Sequence, residues 1–477
     1  MRRLLVALLA VAAAGANAQE WPEATPESQG MSSAALAQLV DYGGNVRMDS
    51  LLVLRHGHIV AEAYYAPYRA DMLHRINSST KAFVGALAGI AIARGELPAP
   101  DAPVAAVVPD APAAWQPMTL QHMLDMTTGI DWNEPLSDAP PVSSDEMARS
   151  REWARYVAAR PLKQAPGAGF NYNSGVPHLV GIAIARQAGM PLEKYAERHL
   201  LKPLGIARWR WRQDPQGHSI GGWGLYLHPR DMARFGELYL RGGQWNGRQV
   251  VPREWVRRAF SPKVEMPWPS YMYADYWWSI PKRDAYFAAG FNRQVVMVLP
   301  RLDIVAVTTG RMHWPFENLV DHLERAVQSE AALPPDDEAL AKLRERTQAA
   351  AAGRVAAASA PAPLPFKRAT WRIDDNRTGI REIVFDFEAA RFAAKLRTRE
   401  MQGALGLDGR WGEGADGTMP VYTTARWRDA ATLEVEQRWP EEAGAMSYTF
   451  RFSGDALEFT HVNQFGVRGT ARGRRAD

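Results

Sequence analysis

A serine and a lysine lie one helical turn apart at the start of an apolar stretch. The segment "INSSTKAFVGALAGIAIARG" places Ser78 three residues before Lys81 and ends at Gly95. A serine hydroxyl becomes a nucleophile when a base lies within hydrogen-bond reach, and residues three apart share one face of a helix. The helix N-terminus would add partial positive charge where an oxyanion forms. The pair indicates acyl transfer through Ser78, with a capped helix and a solvated lysine as the alternative.

Four further segments follow this pair along the chain: "MTLQHMLDMTTGI", "NYNSG", "KPLGI" and "GGWGLYLHPRDMARFGELYLRGG". In this order they resemble the serine hydrolase family of class C β-lactamases and D-alanyl-D-alanine-peptidase-type penicillin-binding proteins. That family also contains the family VIII esterases and the 6-aminohexanoate-oligomer hydrolases. The resemblance covers roughly residues 26–328. It implies an α+β fold, with an antiparallel sheet flanked by helices and an inserted helical subdomain, and no metal or organic cofactor.

The resemblance also implies a role for individual residues. Ser78 corresponds to the acylated nucleophile, Lys81 to its partner, and Tyr172 to the general base that relays a proton to the leaving group. A phenol is a poor base unless a cation stabilises its anion, and Lys81 is expected to be that cation. The third family motif falls on Ala288-Ala289-Gly290. The backbone N–H groups of Phe291 and Ser78 would then form the oxyanion hole.

The chain departs from the family pattern around the expected substrate site. Ser174 stands where class C enzymes carry asparagine, and no lysine lies on the strand that ends at Gly290. Asn292 and Arg293 follow where small residues are expected, and Arg293 is either a clamp for a substrate carboxylate or a surface arginine in a hairpin turn. These four residues are the candidate substrate contacts. Their chemistry favours ester or amide hydrolysis over β-lactam hydrolysis, because a substrate carboxylate would lack its usual partner.

Aromatic side chains cluster just before the third motif. They are Trp268, Tyr271, Tyr273, Tyr276, Trp277 and Trp278. Such a cluster either lines an acyl or amide cleft or packs between the sheet and its helices. Trp277 is taken as the candidate substrate contact.

Three other patterns are interpreted as structural. Ser219 lies in a G-x-S-x-G segment at 217–221, but that motif requires a helix directly afterwards, and "GGWGLYLHP" follows. His56 and His58 flank a turn glycine and have no further ligand residues near them, so no metal site is expected. The segment 137–139, Ser-Asp-Ala, is interpreted as a turn within a proline-rich loop.

Apolar periodicity predicts the elements that position these residues. "DSLLVLRHGHIVAEAYYAPY" predicts two strands around a tight turn, and "AYFAAGF", "RQVVMVLP" and "LDIVAVTTG" predict three more. Helical patterns fill the chain between them. Strands joined by hairpins form antiparallel sheets, so residues 19–335 are expected to form an antiparallel sheet with helices packed on it.

The chain changes character after that domain. Residues 336–365 predict a helix followed by an Ala/Pro-rich linker. Residues 366–477 carry strand signals at short spacing, which predicts a separate small β barrel or sandwich that folds on its own.

The N-terminus predicts export. "MRRLLVALLAVAAAGANAQE" has the two arginines, the apolar stretch and the A-x-A site of a signal peptide over residues 1–18, an uncleaved anchor being the alternative. Its removal would lower the formal net charge from +4 to +2, and no basic run favours nucleic-acid binding. The chain has no cysteine, which excludes disulfides and thiolate chemistry. We therefore expect a periplasmic or secreted protein with no membrane contact after processing.

Three functions stay open at this stage. The favoured one is an exported serine hydrolase for a small ester, amide or peptide-like substrate, such as an esterase, a D-amino-acid amidase or an aminohexanoate-oligomer-type hydrolase. The second is a β-lactamase, or a penicillin-binding or sensor protein that is acylated without efficient turnover. The third is a non-catalytic protein that binds a ligand through the C-terminal β domain.

Overall fold

The computed structural model describes residues 21–108, 110–134, 142–353, 366–464 and 466–476. It contains an N-terminal α+β domain and a C-terminal β barrel. The N-terminal domain is built on one large antiparallel sheet, as the sequence predicts. The predicted signal peptide, the segment 137–139 and most of the Ala/Pro-rich linker lie outside the described residues.

Thirteen described strands belong to the N-terminal domain. They are β1 (Met48–Arg55), β2 (His58–Tyr64), β3 (His74–Arg75), β4 (Arg210–Trp211), β5 (Leu225–Leu227), β6 (Gln244–Trp245), β7 (Arg248–Gln249), β8 (Val264–Glu265), β9 (Met272–Ala274), β10 (Trp277–Ile280), β11 (Ala285–Gly290), β12 (Gln294–Leu299) and β13 (Ile304–Gly310). Eight of them form the large sheet in the order β2-β1-β13-β12-β11-β10-β9-β8. A second, small sheet has the order β3-β5-β4 and lies beside the residues that lead to Ser78.

The α-helices of this domain either flank the large sheet or form the helical subdomain. They are α1 (Ser33–Asn45), α2 (Thr80–Ala93), α3 (Val104–Val107), α4 (Leu120–Leu124), α5 (Val142–Arg149), α6 (Trp153–Ala158), α7 (Gly175–Ala188), α8 (Leu192–Ala196), α9 (Pro229–Leu240), α10 (Arg253–Ala259), α11 (Phe316–Ala326) and α12 (Asp337–Ala352). Helix α9 lies against β1, β12 and β13, whereas α1 packs on β1 and is joined by α11 and α12. Helices on both faces explain why β12 and β13 are buried along their whole length and have continuous apolar sequences.

The helical subdomain is inserted between β3 and β4 and meets the sheet through α2. Helix α2 packs against α7 of the subdomain and against β11 of the sheet. Its residues from Thr80 to Ala91 are all buried, which explains the run of Ala, Gly and Ile that the sequence carries there. A rigid helix held from two sides is a suitable support for a nucleophile at its N-terminal end.

The C-terminal domain is a closed barrel, which decides between the barrel and the sandwich that the sequence left open. Its strands are β14 (Arg368–Ile373), β15 (Ile380–Asp386), β16 (Arg391–Leu396), β17 (Glu400–Ala404), β18 (Gly412–Asp416), β19 (Met419–Asp429), β20 (Thr432–Trp439), β21 (Gly444–Ser453), β22 (Ala456–Asn463) and β23 (Arg468–Arg475). Each strand pairs with its neighbour in sequence, and β14 pairs with β23 to close the barrel. Buried aromatic side chains fill it, including Trp371, Phe385, Trp427, Phe450 and Phe459.

Helix α12 lies differently from the sequence interpretation, which placed it in the segment between the domains. It packs against α1 and β2, and Leu343 joins the core of the N-terminal domain. The N-terminal domain thus extends along the chain to Gly353, beyond the predicted boundary at residue 335, because the apolar side of α12 needs a surface to cover it. None of the helices in the described part of the chain is long and apolar enough to cross a membrane.

Candidate active site

Ser78 lies in a short 3₁₀ turn, Asn77–Ser79, that leads directly into α2. The α-helix itself begins at Thr80, two residues later than the sequence pattern predicts. Two hydroxyls fix this turn: Ser79 Oγ donates to the Gln294 carbonyl at 2.6 Å, and Thr80 Oγ1 donates to the Asn77 carbonyl at 2.7 Å. The nucleophile turn is therefore tied to β12 on one side and to its own helix on the other.

Lys81 is buried and lies directly behind Ser78. Its Nζ is 2.9 Å from Ser78 Oγ, 2.8 Å from Ser174 Oγ and 2.9 Å from the carbonyl oxygen of Gly222. Burial lowers the pKa of Lys81 to about 7, although the nearby carboxylate of Glu134 acts in the opposite direction. An amine with this pKa is partly neutral at physiological pH and can accept a proton.

The three contacts of Lys81 assign its hydrogens and its lone pair. Ser174 Oγ donates its own hydrogen to Glu134 Oε1 at 2.6 Å, so Ser174 must accept from Lys81. The Gly222 carbonyl can only accept. A neutral amine has two hydrogens and one lone pair, and with the hydrogens given to Ser174 and Gly222 the lone pair faces Ser78 Oγ. Proton transfer from Ser78 to Lys81 therefore needs no rearrangement of the surrounding groups.

Glu134 is a site residue that the sequence analysis did not identify. Its Oε2 accepts hydrogen bonds from the Ser174 backbone N–H at 2.8 Å and from Trp132 Nε1 at 2.7 Å. Glu134 precedes Ser174 by 40 residues and lies in an irregular loop, so no spacing rule links the two. The one sequence-level signal is indirect: a buried lysine requires polar partners.

Tyr172 lies against both members of the pair. Lys81 Nζ is 4.7 Å from the centroid of the Tyr172 ring, and the nearby Ser78 side chain acts to lower the pKa of the phenol. Burial and the charge of Glu134 raise the pKa of Tyr172 well above its ordinary value of 10. This corrects the expectation that a charged Lys81 would hold the phenol as an anion, because Lys81 lies over the ring face and itself has a lowered pKa.

The predicted oxyanion strand runs beside the nucleophile turn. A Cβ on Gly290 would lie 2.3 Å from the Ile76 carbonyl oxygen, so only glycine allows β11 to approach this closely. The Gly290 carbonyl accepts from the Arg293 N–H at 3.0 Å, which directs the N–H of Phe291 to the opposite side of the same peptide. The Phe291 carbonyl in turn accepts from Asn77 Nδ2 at 3.1 Å. The assignment of the Phe291 and Ser78 N–H groups to an oxyanion hole stays a prediction.

Three of the predicted substrate contacts are either buried or already bound to other groups of the protein. Trp277 is 1% exposed and packs on Phe235 and Tyr239 of α9, away from the site. Asn292 is also buried, at 3% exposure. Arg293 borders the cleft, but its Nε donates to the Trp314 carbonyl and its guanidinium lies 3.9 Å from the centroid of the Phe316 ring.

A cleft of about 720 Å³ opens over these groups. Six of the predicted site residues border this one cavity: Ser78, Tyr172, Ser174, Gly290, Phe291 and Arg293. Its lining includes the aromatic side chains of Trp153, Trp223, Trp278 and Phe316 and the arginines Arg75, Arg212 and Arg293.

Residues 31–329 of the chain match the protein family described as Beta-lactamase. The chain belongs to the Beta-lactamase family. A 6-aminohexanoate-dimer hydrolase from Paenarthrobacter ureafaciens is 27% identical in an alignment of 289 residues that covers 56% of this chain and 73% of that protein. A beta-lactamase from Escherichia coli (strain K12) is 26% identical over 159 residues, which are 33% of this chain and 40% of that protein.

Solved structures share the fold of this Beta-lactamase-family chain. A Bacillus anthracis protein named as a 6-aminohexanoate-dimer hydrolase superposes with a TM-score of 0.54 at 18% identity, covering 69% of this chain and 86% of that one. A Bacteroides dorei DSM 17855 protein named as a beta-lactamase superposes with a TM-score of 0.52 at 15% identity, covering 63% of this chain and all of that one. The chain thus has the β-lactamase fold and belongs to a family of hydrolases.

Two further groups in this Beta-lactamase-family chain have the residue types of functional motifs. Ser219 is 2% exposed, and its Oγ donates to Glu193 within a turn rather than at the head of a helix. Among the described residues, one cluster has metal-ligand types: His178, Asp214 and His218. Asp214 Oδ2 lies 3.1 Å from His178 Nε2 and 3.2 Å from His218 Nδ1, and Oδ1 accepts two backbone N–H groups. The carboxylate is thereby occupied in holding this loop at the edge of the cleft.

Proposed function

We propose that the protein is a serine hydrolase that transfers the acyl group of a small ester or amide through Ser78. The observation that carries the proposal is the contact of 2.9 Å between Ser78 Oγ and the buried Nζ of Lys81, whose pKa is about 7. A nucleophile, a base with a matched pKa and a cleft above them are the parts that acyl transfer requires.

In the acylation step, Ser78 Oγ attacks the substrate carbonyl carbon while its proton passes to the lone pair of Lys81 Nζ. The resulting oxyanion lies at the N-terminal end of α2, where partial positive charge stabilises it. When the intermediate collapses, the bond to the leaving alcohol or amine breaks. The leaving group takes up a proton from the protonated Lys81, with the Tyr172 hydroxyl, which borders the same cleft as Ser78, as the relay.

In the deacylation step, water takes the place of the departed alcohol or amine. Lys81, neutral again, accepts a proton from the water through the same hydroxyl of Tyr172, and the hydroxide formed attacks the acyl carbon. The ester bond to Ser78 then breaks and Ser78 recovers its proton. Ser174 and Gly222 hold Lys81 in place throughout, because both accept hydrogen bonds from it in either protonation state.

The cleft supports esters and amides ahead of β-lactams. Penicillins carry a carboxylate near the scissile bond, and β11 offers only Ala288, Ala289 and Gly290 beside the nucleophile. Arg293 is engaged with Trp314 and Phe316 and would have to turn to meet that charge. The sequence similarity to a 6-aminohexanoate-dimer hydrolase makes a linear amide the first amide substrate to test.

The proposal is tested by comparing kcat/KM for p-nitrophenyl butyrate, 6-aminohexanoate dimer and nitrocefin. We expect the ester or the linear amide to exceed nitrocefin. Faster hydrolysis of nitrocefin would contradict the substrate assignment, and the variants Arg293→Ala and Arg212→Ala would then identify the arginine that binds its carboxylate. Stable labelling of Ser78 by penicillin without turnover would instead favour the sensor function.

We also propose that the protein is exported by the segment 1–18, on the evidence of its arginines, apolar stretch and A-x-A site. N-terminal sequencing of the protein recovered from the periplasm or the medium is expected to begin at Gln19. Recovery only inside the cell with an intact N-terminus would contradict export.

A further inference from the structure

The C-terminal barrel contacts the N-terminal domain beside the active-site cleft. An apolar contact joins Tyr422 of the barrel to Tyr68 and Met72. A second contact is ionic and is made by the short 3₁₀ turn Pro440–Glu442, which follows β20 and lies against β3. Strand β3 ends at Arg75, three residues before Ser78.

Glu442 is the centre of the ionic contact. It lies 3.2 Å from Arg75 Nη1 and 3.2 Å from Arg210 Nη2, and the hydroxyl of Tyr226 donates to its Oε1 at 2.7 Å. Its side chain is only 23% exposed, so the three partners are shielded from bulk water in part. A carboxylate held by two guanidinium groups and a phenol has a well-defined position.

Two side chains connect Glu442 to the nucleophile turn. Arg75 borders the cleft, and its Nε donates to Asn77 Oδ1 at 2.8 Å. Asn77 Nδ2 donates across the turn to the Phe291 carbonyl at 3.1 Å. Asn77 has a φ of 48°, a left-handed conformation that costs a non-glycine residue free energy and is kept only when its surroundings hold it.

We propose that the barrel supplies a positioning residue to the active site: Glu442 orients Arg75, which holds Asn77 and thereby the backbone on both sides of the Ser78 oxyanion site. The inference rests on the proposed serine hydrolase function. Glu442 touches neither the substrate nor the reacting atoms. Without it, Arg75 keeps its charge but loses its anchor, and the side chain of Asn77 loses the group that directs its two hydrogen bonds.

Other contacts between the two domains allow the positioning role of Glu442 to be tested separately from the docking of the barrel. Arg438 Nη1 donates to the Ala66 carbonyl at 3.1 Å, Arg69 Nη1 donates to the Tyr422 hydroxyl at 3.0 Å, and Glu441 pairs with Arg210 at 3.4 Å. The first two of these contacts share no residue with the ionic contact around Glu442. Replacing Glu442 alone should therefore leave the barrel docked, and Glu441→Gln provides a matched control on the same turn.

The test measures kcat, KM and the rate of Ser78 labelling by a fluorophosphonate in the full-length chain. Glu442→Gln keeps the size of the side chain and removes its charge. We expect Glu442→Gln and Glu442→Ala to lower kcat and the labelling rate about tenfold, with KM within about twofold, as expected for a lost hydrogen bond to a charged group. Glu441→Gln should stay within about twofold of the wild type. The loss in Glu442→Gln combined with Arg75→Gln should be smaller than the product of the single losses.

Thermal melts of each variant monitor folding. Wild-type kcat in both Glu442 variants would overturn the inference, and so would equal losses in Glu442→Gln and Glu441→Gln accompanied by equal drops in Tm. A wild-type protein that neither hydrolyses any of the substrates nor labels at Ser78 would contradict the proposed function itself. A wild type that labels and turns over, with unaffected Glu442 variants, would contradict only the role of Glu442.

Discussion

The protonation state of Lys81 decides how the candidate site works. A charged lysine would donate to Ser78 and could not take its proton, whereas a neutral one presents its lone pair to Ser78 because Ser174 and Gly222 both accept from it. The assignment depends on Glu134, which receives the Ser174 hydroxyl hydrogen. Four side chains and one carbonyl thus form a single hydrogen-bonded unit.

The first prediction concerns the pH dependence of kcat/KM. The pKa of Lys81 is lowered from 10.5 to about 7, so Lys81 is mostly protonated below this pH and cannot act as the base. Activity should therefore rise with pH through a limb near pH 7, since kcat/KM reports the pKa of the free enzyme. Lys81→Arg should remove the limb together with most of the activity. A flat profile between about pH 6 and 8 would contradict this assignment.

The second prediction separates Glu134 from a merely structural residue. Its negative charge raises the pKa of Lys81, so Glu134→Gln should shift the acidic limb to lower pH. The variant should also lower kcat about tenfold, because Ser174 loses a charged hydrogen-bond acceptor. Glu152→Gln, which removes an exposed carboxylate of the same subdomain, serves as the control. A limb that stays in place or moves to higher pH would be incompatible with the proposed electrostatic role.

At the scale of elements, the site depends on the close approach of β11 to the nucleophile turn. Gly290 permits this approach, because any Cβ there would overlap the Ile76 carbonyl at 2.3 Å and Gln294 Cβ at 2.9 Å. The predicted oxyanion N–H, that of Phe291, comes directly after β11, and the turn carries Ser78. Their separation would therefore fix the geometry of the predicted oxyanion site.

The third prediction is that Gly290→Ala lowers kcat by about 100-fold, as expected when reacting groups move by about 1 Å. The control is Gly169→Ala, because nothing lies within 4 Å of a Cβ at Gly169. Steady-state kinetics and thermal melts of both variants provide the measurement. Wild-type kcat in Gly290→Ala would show that β11 does not contribute to the site as proposed.

The limits of sequence reasoning are clearest at the strand and loop positions. Adjacent residues on a strand face opposite sides of a sheet, and the pair Trp277–Trp278 carries no signal of which side holds the cleft. The structure places Trp278 on the cleft and Trp277 under α9. The segment containing Ser78 and Lys81 could be recognised because one helical turn fixes their distance. Glu134 could not, because only tertiary folding brings its loop to Ser174.

At the scale of the whole molecule, the barrel combines its own core with a polar contact to the active site. Its buried aromatic residues form a cluster separate from that of the N-terminal domain. The sequence predicted a separate β domain from strand spacing, but nothing in the sequence pairs Glu442 with Arg75, which lies 367 residues earlier. Ion pairs of this kind form when two folded domains dock, so the sequence around either residue does not indicate the pairing.

The fourth prediction is that residues 366–477 fold alone. The barrel closes through the pairing of β14 with β23, so separation leaves no unpaired edge among the described strands. The isolated segment should give a β-type circular-dichroism spectrum and a cooperative thermal transition. A spectrum typical of an unfolded chain would show instead that the barrel needs the N-terminal domain.

The central claim is that Ser78 is acylated during turnover, and intact-mass spectrometry tests it most directly. Brief reaction of the full-length protein with p-nitrophenyl butyrate at a pH above the pKa of Lys81, followed by rapid quenching in acid, should add one butyryl group. Peptide mapping should place that group on Ser78. Ser78→Ala should show neither the adduct nor hydrolysis, whereas Ser219→Ala should show both. An active Ser78→Ala variant, or an adduct on Ser219, would contradict the account.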